Sequence, residues 1–306
     1  MTDVIVHSQS PEAIVMVRPH CFVSNPETMA DNAFQRTIHT ESASESAYDE
    51  VTRAVEILEA EGVTVHVFED TSTATPDSVF PNNWFSTHHH GTLVKYPMYA
   101  PNRREEYRQD IMDYLVKEYG YSHVLDLRDA VSQQVFLEGT GSIVFDHRNK
   151  VAYAAASKRT HESLFYALCE SIGYQGVLFD AADENGIPVY HSNVLMCISS
   201  QFVMIGMDMV APKDRERLYS LFEQGGLTVI ELSHQQIRNF CGNAIELKGK
   251  SGRLLALSLT AFNALTDSQK NIIQQSNKLV PLAVSTIESA GGSVRCMIAG
   301  IHRRIE

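Results

Sequence analysis

Short apolar runs with strand composition recur along the whole chain, several as close pairs followed by a stretch of helical spacing. That rhythm constrains the fold more than any other feature. The runs are AIVMVRP (13–19), VTVHVF (63–68), GTLVKYP (91–97), SIVFD (142–146) and KVAYAAAS (150–157). QFVMIG (201–206), LTVIEL (227–232), LLALSL (254–259) and SVRCMIAGIH (293–302) follow. Each is bounded by Gly, Pro, Asn or Asp, as strands are. Helical spacing marks 44–61, where Val51, Ala54, Val55 and Leu58 form one stripe, and also 104–118, 158–172, 212–223 and 267–287. Ser157 stands where an N-cap for the helix at 158 belongs. The runs 142–146 and 150–157, turned by His147, Arg148 and Asn149, predict a hairpin. The sum is an α/β architecture without the strict alternation of a doubly wound sheet. No low-complexity linker or charge block divides the chain, so one domain is expected over 1–306.

The formal net charge of -12 provides no basic field for phosphate backbones or anionic lipid. That argues against nucleic-acid and membrane-surface partners. No apolar stretch reaches the length of about 18 residues that spans a bilayer. The N-terminus lacks the basic start and long apolar run of a secretory signal, so a cytoplasmic protein is expected. Cys21, Cys169, Cys197, Cys241 and Cys296 are odd in number and form no CxxC pair, which predicts a reducing compartment without disulfides. Cys169 and Cys197 have apolar neighbours and read as small core residues. No heptad or exposed apolar repeat encodes an assembly, and a homo-oligomer stays open.

Four segments carry candidate chemistry. In SAGGSVRCMIAGIH, Gly291 and Gly292 permit a turn before Cys296, which is read as lying in a short apolar strand beside Arg295. A cation close to a thiol raises its thiolate fraction; the plainer reading is a buried strand cysteine. In PVYHSNVLMCIS, His191 opens an apolar strand and is either a core histidine or a general acid or base. In QVFLEGTGSIVFD, Glu138 enters a Gly-rich turn, where a buried carboxylate needs a partner. In TPDSVFPNNWFSTHHH, Asp77, Asn82 and Asn83 can hydrogen-bond a planar polar group or build an Asx turn. Of His88, His89 and His90, at most two can converge on one face of a strand, and no metal spacing accompanies them. No metal or cofactor is signalled.

Together, the order Asp/Asn cluster, Glu-Gly, His and late Cys resembles the guanidino-group modifying superfamily, which includes arginine deiminase, dimethylarginine dimethylaminohydrolase and the amidinotransferases. The resemblance runs from VRP near residue 18 to RCMIAGIH at the end, and is closest to the citrulline-hydrolysing branch. It implies the pentein fold, a five-bladed α/β propeller of ββαβ-type units around a central polar channel. It also implies Cys296 as nucleophile, His191 as acid and base, and Glu138 as a carboxylate accepting from the substrate's N–H groups. ASKRTH points to Arg159, and APNRREEYR to Arg103 or Arg104, as holders of the α-carboxylate of an amino-acid substrate. The DxVFxED-type segment stands here as DSVFPNN, keeping Asp77 and placing Asn82 and Asn83 where paired acids belong; EGGD becomes EGTGS. A guanidinium is a cation with donors only, whereas a ureido group is neutral and has a carbonyl acceptor. An Asn amide donates to that carbonyl and an ionised Asp does not, which favours citrulline.

The resemblance leaves open an arginine deiminase, a dimethylarginine hydrolase or an amidinotransferase on the same fold. An inactive amino-acid-binding protein is the reading from another class; joint retention of Cys296, His191 and Glu138 argues against it, because binding alone needs no thiol. A papain-like peptidase lacks support, since the cysteine comes last. The polar, irregular stretches 20–33 and 233–243 are the expected lid loops.

Overall fold

The computed structural model describes residues 8–29, 32, 34–36 and 41–302. Within them five three-stranded sheets are arranged as blades, each an antiparallel pair joined through a helix to a parallel outer strand. The first blade begins with β1 (Ala13–Pro19), followed by the helix Glu41–Ala60 and β2 (Thr64–Asp70). The second has β3 (Phe85–His88), β4 (Thr92–Lys95) and β5 (His123–Asp126), and the third β6 (Ile143–Asp146), β7 (Val151–Ala155) and β8 (Gln175–Phe179). The fourth has β9 (Met196–Ile198), β10 (Phe202–Ile205) and β11 (Thr228–Glu231). The fifth has β12 (Ile245–Gly249), β13 (Gly252–Ser258) and β14 (Lys278–Leu282). The last strand, β15 (Ala299–Ile301), returns to the first blade and pairs antiparallel with β1, so the chain's two ends close the ring.

The five inner strands β3, β6, β9, β12 and β15 all contribute residues to one cavity. This is the central channel, and the α/β propeller expectation holds. The middle strands of the third and fourth blades are wholly apolar, as strands covered on both faces are: β7 reads VAYAA and β10 FVMI, and every residue of both is buried. The expected hairpin forms between β6 and β7. Asp146 accepts from the Asn149 backbone and side-chain amides at 2.9 and 2.7 Å, holding its turn. Among the described residues no helix is long and apolar enough to cross a membrane.

Several expected boundaries change. The stretch 267–287 is not one helix but a helix at Asp267–Gln274, the edge strand β14 and a short helix at Ser285–Glu288. Pro281 explains it, since proline breaks a helix interior but is tolerated on an edge strand, where no ladder bond needs its missing N–H. The helix expected from 104 starts at Gln109, after a 3-10 turn at Asn102–Glu106. The one expected from 158 starts at Glu162, with His161 rather than Ser157 at its N-cap. Ser157 instead accepts from the Arg159 N–H at 3.1 Å and donates to Tyr190 O at 2.9 Å. Of the strand expected over 293–302, only β15 forms; Cys296 lies in the turn before it.

Candidate active site

The residues just upstream of the inner strands meet at one mouth of the channel. Asn83 precedes β3, Glu138 precedes β6, His191 precedes β9, Asn243 precedes β12 and Cys296 precedes β15. Asn83, His191 and Cys296 line one pocket, together with Asp77, Arg103 and Arg159. Thr28 and Asn32 help to line it, so the stretch 20–33 reaches the site; of 233–243, His234, Ile237, Arg238, Asn239 and Phe240 line a separate cavity, and Asn243 reaches Cys296.

Gly291 adopts φ +85°, a left-handed conformation that favours glycine, and turns the chain into the cysteine loop. The Cys296 sulfur is 3% exposed and receives two amide N–H donors, Asn193 Nδ2 at 3.3 Å and Asn243 Nδ2 at 3.2 Å. Two donors on one sulfur suit a thiolate, which only accepts. Asn243 is braced in turn, its Nδ2 donating to Asn193 O at 2.9 Å and its Oδ1 accepting from the Arg295 N–H at 3.0 Å. Arg295 itself does not face the pocket. Its guanidinium donates to Ile298 O at 2.9 Å and lines the channel cavity, so the amide pair takes the role expected of it. Cys169, Cys197 and Cys241 are buried, and burial pushes each thiol up to about 12, where it is a poor nucleophile.

His191 occupies the N-cap of the short helix Ser192–Leu195, and its Nε2 lies 2.7 Å from Glu138 Oε2. Glu138 caps Gly139–Ser142 in the same way and accepts from the Tyr99 N–H at 2.9 Å and from Arg159 Nη1 at 3.4 Å. Burial alone would raise the Glu138 carboxyl, but the Arg159 charge and the His191 hydrogen bond outweigh it and hold it well below the usual range. Glu138 is therefore ionised. A carboxylate only accepts, so neutral His191 carries its proton on Nε2 and keeps Nδ1 as the basic atom. Burial lowers the imidazole despite Glu138, which makes the resting ring neutral. A Cβ on Gly141 would sit 2.8 Å from His191 Nδ1 and 2.5 Å from Asn83 Oδ1, so only glycine lets these two side chains converge.

Asp77 accepts from Asn25 Nδ2 at 2.7 Å and lies 3.7 Å from Arg103 Nε, while its Oδ1 is buried without a partner among the described residues. Burial raises its carboxyl against the pull of Arg103. Arg103 grips Glu106 through Nε and Nη2, both at 2.9 Å. Burial pushes Glu106 up to about 7 in spite of that grip. Arg159 lies under the faces of Tyr190 and Tyr99, 5.1 and 5.9 Å from their ring centres.

Two expected site residues lie elsewhere. Arg104 donates to Met98 O at 3.0 Å and Tyr99 O at 2.8 Å, holding the loop that presents the Tyr99 N–H to Glu138. Asn82 is fully buried away from the pocket, and its backbone carbonyl accepts from Thr140 Oγ1 at 3.1 Å. Sequence reasoning missed Asn193, Asn243 and Glu106; the first two show in the sequence only as an Asn just upstream of an apolar run. Arg159→Lys is expected to raise KM by about tenfold or more, through loss of a planar fork, while Arg104→Gln leaves KM within about threefold. Equal effects in steady-state kinetics would contradict this division.

A sequence model described as N,N dimethylarginine dimethylhydrolase, eukaryotic, matches residues 18–303. No curated protein matches the chain in sequence. Among solved structures, the N-terminal domain of ArgZ, an arginine dihydrolase from the ornithine-ammonia cycle in cyanobacteria, is similar with a TM-score of 0.73 at 17% identity, covering 96% of this chain and 99% of that one. Unliganded AgrE gives 0.75 at 16% identity, over 96% of this chain and 40% of that one. A dimethylarginine dimethylaminohydrolase adduct with S-methyl-L-thiocitrulline gives 0.67 at 13%, over 95% and 99%. At these identities the structural likeness speaks for the fold. Full-length ArgZ is longer, and this chain covers 41% of it. The five-bladed fold and a family match across nearly the whole sequence lead to one conclusion: the chain belongs to the N,N-dimethylarginine dimethylhydrolase family, within the guanidino-group modifying, or pentein, superfamily.

Proposed function

We propose that this chain is a cysteine hydrolase of the ureido group of citrulline, converting citrulline and one water into ornithine, ammonia and carbon dioxide. One observation carries the reading. Asn83 lines the Cys296 pocket beside His191 with its Oδ1 buried and, among the described residues, without a hydrogen-bond partner, where the family resemblance places an acid. An amide there offers both a donor and an acceptor to a ureido group, which likewise has both. A guanidinium offers only donors and is better served by carboxylates.

Arg159, with Arg103 beside Asp77, holds the substrate α-carboxylate. Asp77 and Asn83 orient the ureido end, and Glu138 fixes His191. Neutral His191 takes the Cys296 proton, and the thiolate attacks the ureido carbon to give a tetrahedral adduct. The imidazolium then protonates the first leaving nitrogen, and the ring, neutral again, deprotonates water for attack on the thioester-like intermediate, which releases the thiolate and a carbamic acid that splits into carbon dioxide and the second amine. The Asn193 and Asn243 amides stabilise sulfur each time it leaves as thiolate.

Asn83→Asp is expected to lower kcat/KM for citrulline by about a hundredfold or more, because a buried acceptor then faces the ureido carbonyl. An unchanged preference between citrulline and arginine would remove the argument. A second reading is hydrolysis of methylated arginine, favoured by the family match and by the retained carboxylates of Asp77 and Glu138. It requires citrulline to appear as a product rather than to be consumed.

A further inference from the structure

At the end of the channel opposite Cys296, three strands deliver three histidines. His89 follows β3, His147 follows β6 and His302 follows β15. Their ring nitrogens lie within 4.8 Å of one another, and the residues are only 7%, 6% and 9% exposed. The rings touch: centroids are 3.8 Å apart for His147 and His302, 5.0 Å for His89 and His302, and 5.6 Å for His89 and His147.

The outer nitrogens of two of these rings are held as ligand histidines usually are. His147 Nδ1 lies 2.7 Å from the Tyr174 hydroxyl, and His89 Nε2 lies 3.0 Å from Ser8 O. A carbonyl only accepts, so His89 Nε2 carries a proton. His302 Nδ1 is buried with no hydrogen-bond partner among the described residues. Packing alone leaves that nitrogen unexplained, since an unmet buried polar atom is costly.

We propose that His89, His147 and His302 bind one divalent transition-metal ion of the Zn2+ class at this end of the channel. Metal–nitrogen bonds of about 2.0–2.1 Å require the three nitrogens to close in by ring rotation. The fourth position faces the channel cavity, of about 50 Å³, which has room for water or a small anion. Arg295 lines that cavity and has no carboxylate within salt-bridge distance among the described residues. It opposes a bare cation and would pair with an anion held in the fourth position. Glu246 lines the same cavity.

Chelator-stripped full chain carrying Cys296→Ser, which removes the pocket thiol as a competing ligand, is titrated with Co2+. The expected result is one Co2+ per chain with visible absorption of a tetrahedral nitrogen site and no sulfur charge-transfer band. Tyr174→Phe, which keeps all three ligands, weakens binding by about 10- to 100-fold, and His302→Phe abolishes it. Absence of stoichiometric binding to the folded protein, a sulfur charge-transfer band, or binding unaltered by Tyr174→Phe would overturn the proposal. The tyrosine variant decides the matter if His302→Phe does not fold.

Discussion

Cys296→Ser is expected to lower turnover by roughly ten-thousandfold or more, with substrate affinity kept within about threefold. The large effect follows from chemistry and the small one from geometry. A serine hydroxyl is far less acidic than a thiol, so neutral His191 cannot generate the nucleophile, and the Asn193 and Asn243 amides then solvate an oxygen that stays protonated. None of the groups assigned to hold the substrate changes: Arg159, Arg103, Asp77 and Asn83 line the pocket from other segments. Single-turnover kinetics and calorimetric titration separate the two quantities. Near-normal turnover would remove Cys296 as nucleophile. In the parent protein, alkylation by iodoacetamide at neutral pH should map to Cys296 ahead of Cys169, Cys197 and Cys241, whose thiols burial pushes up to about 12. An inert Cys296 would favour a binding protein.

The second large effect is loss of stability in mild acid. His88 is pushed down to about 3 by burial, and burial also lowers His147, His302 and His191. A lowered folded value means that below the ordinary histidine value of 6.5 the unfolded chain binds protons that the native one refuses. Stability therefore falls as pH drops through that range. Buried carboxyls act in the opposite direction. Glu106, raised to about 7, and Asp77 and Glu288, raised by burial, take up protons in the native state first. In the metal-free protein the lowered histidines outnumber the raised carboxyls, so stability falls as the pH drops from 6 to 5. Urea unfolding at pH 7.5, 6 and 5 measures it directly, and a profile flat to within about 1 kcal/mol would contradict the buried neutral histidines.

The legible and illegible parts of the fold differ for a physical reason. β1 was readable over its full length because AIVMVRP is covered on both faces. β3, by contrast, reads FSTH: its Ser86, Thr87 and His88 are polar yet buried, because Ser86 and Thr87 line a channel and His88 bonds Ser86 and packs on Phe145. Hydropathy cannot find such a strand. The outer strands β5 and β8 are short and partly exposed, and they too lack a clear pattern. Pro281 was visible all along, yet the helical spacing around it outweighed its meaning.

The site divides similarly. Cys296, His191, Glu138, Asp77, Asn83, Arg103 and Arg159 come from motif order, and the fold brings them together because each stands before an inner strand or in a loop at the same mouth. Arg103 and Arg104 are adjacent in sequence and equivalent in chemistry, and only the 3-10 turn at Asn102–Glu106 decides which one faces inward. Asn82 and Asn83 separate in the same way. The Asn193 and Asn243 amides on the sulfur, and the meeting of His89 with His147 and His302, arise from residues far apart in sequence. No local spacing encodes them; the ring closure does.

The most direct test of the central claim is product analysis. Purified, chelator-treated protein is given citrulline, arginine or methylated arginine separately, and ammonia, ornithine and citrulline are resolved. Ammonia and ornithine are expected in equal amounts from citrulline, with little or no turnover of arginine or its methylated forms. Citrulline accumulating from arginine or methylated arginine, with none consumed when it is supplied, would keep the fold and Cys296 but contradict the ureido role given to Asn83.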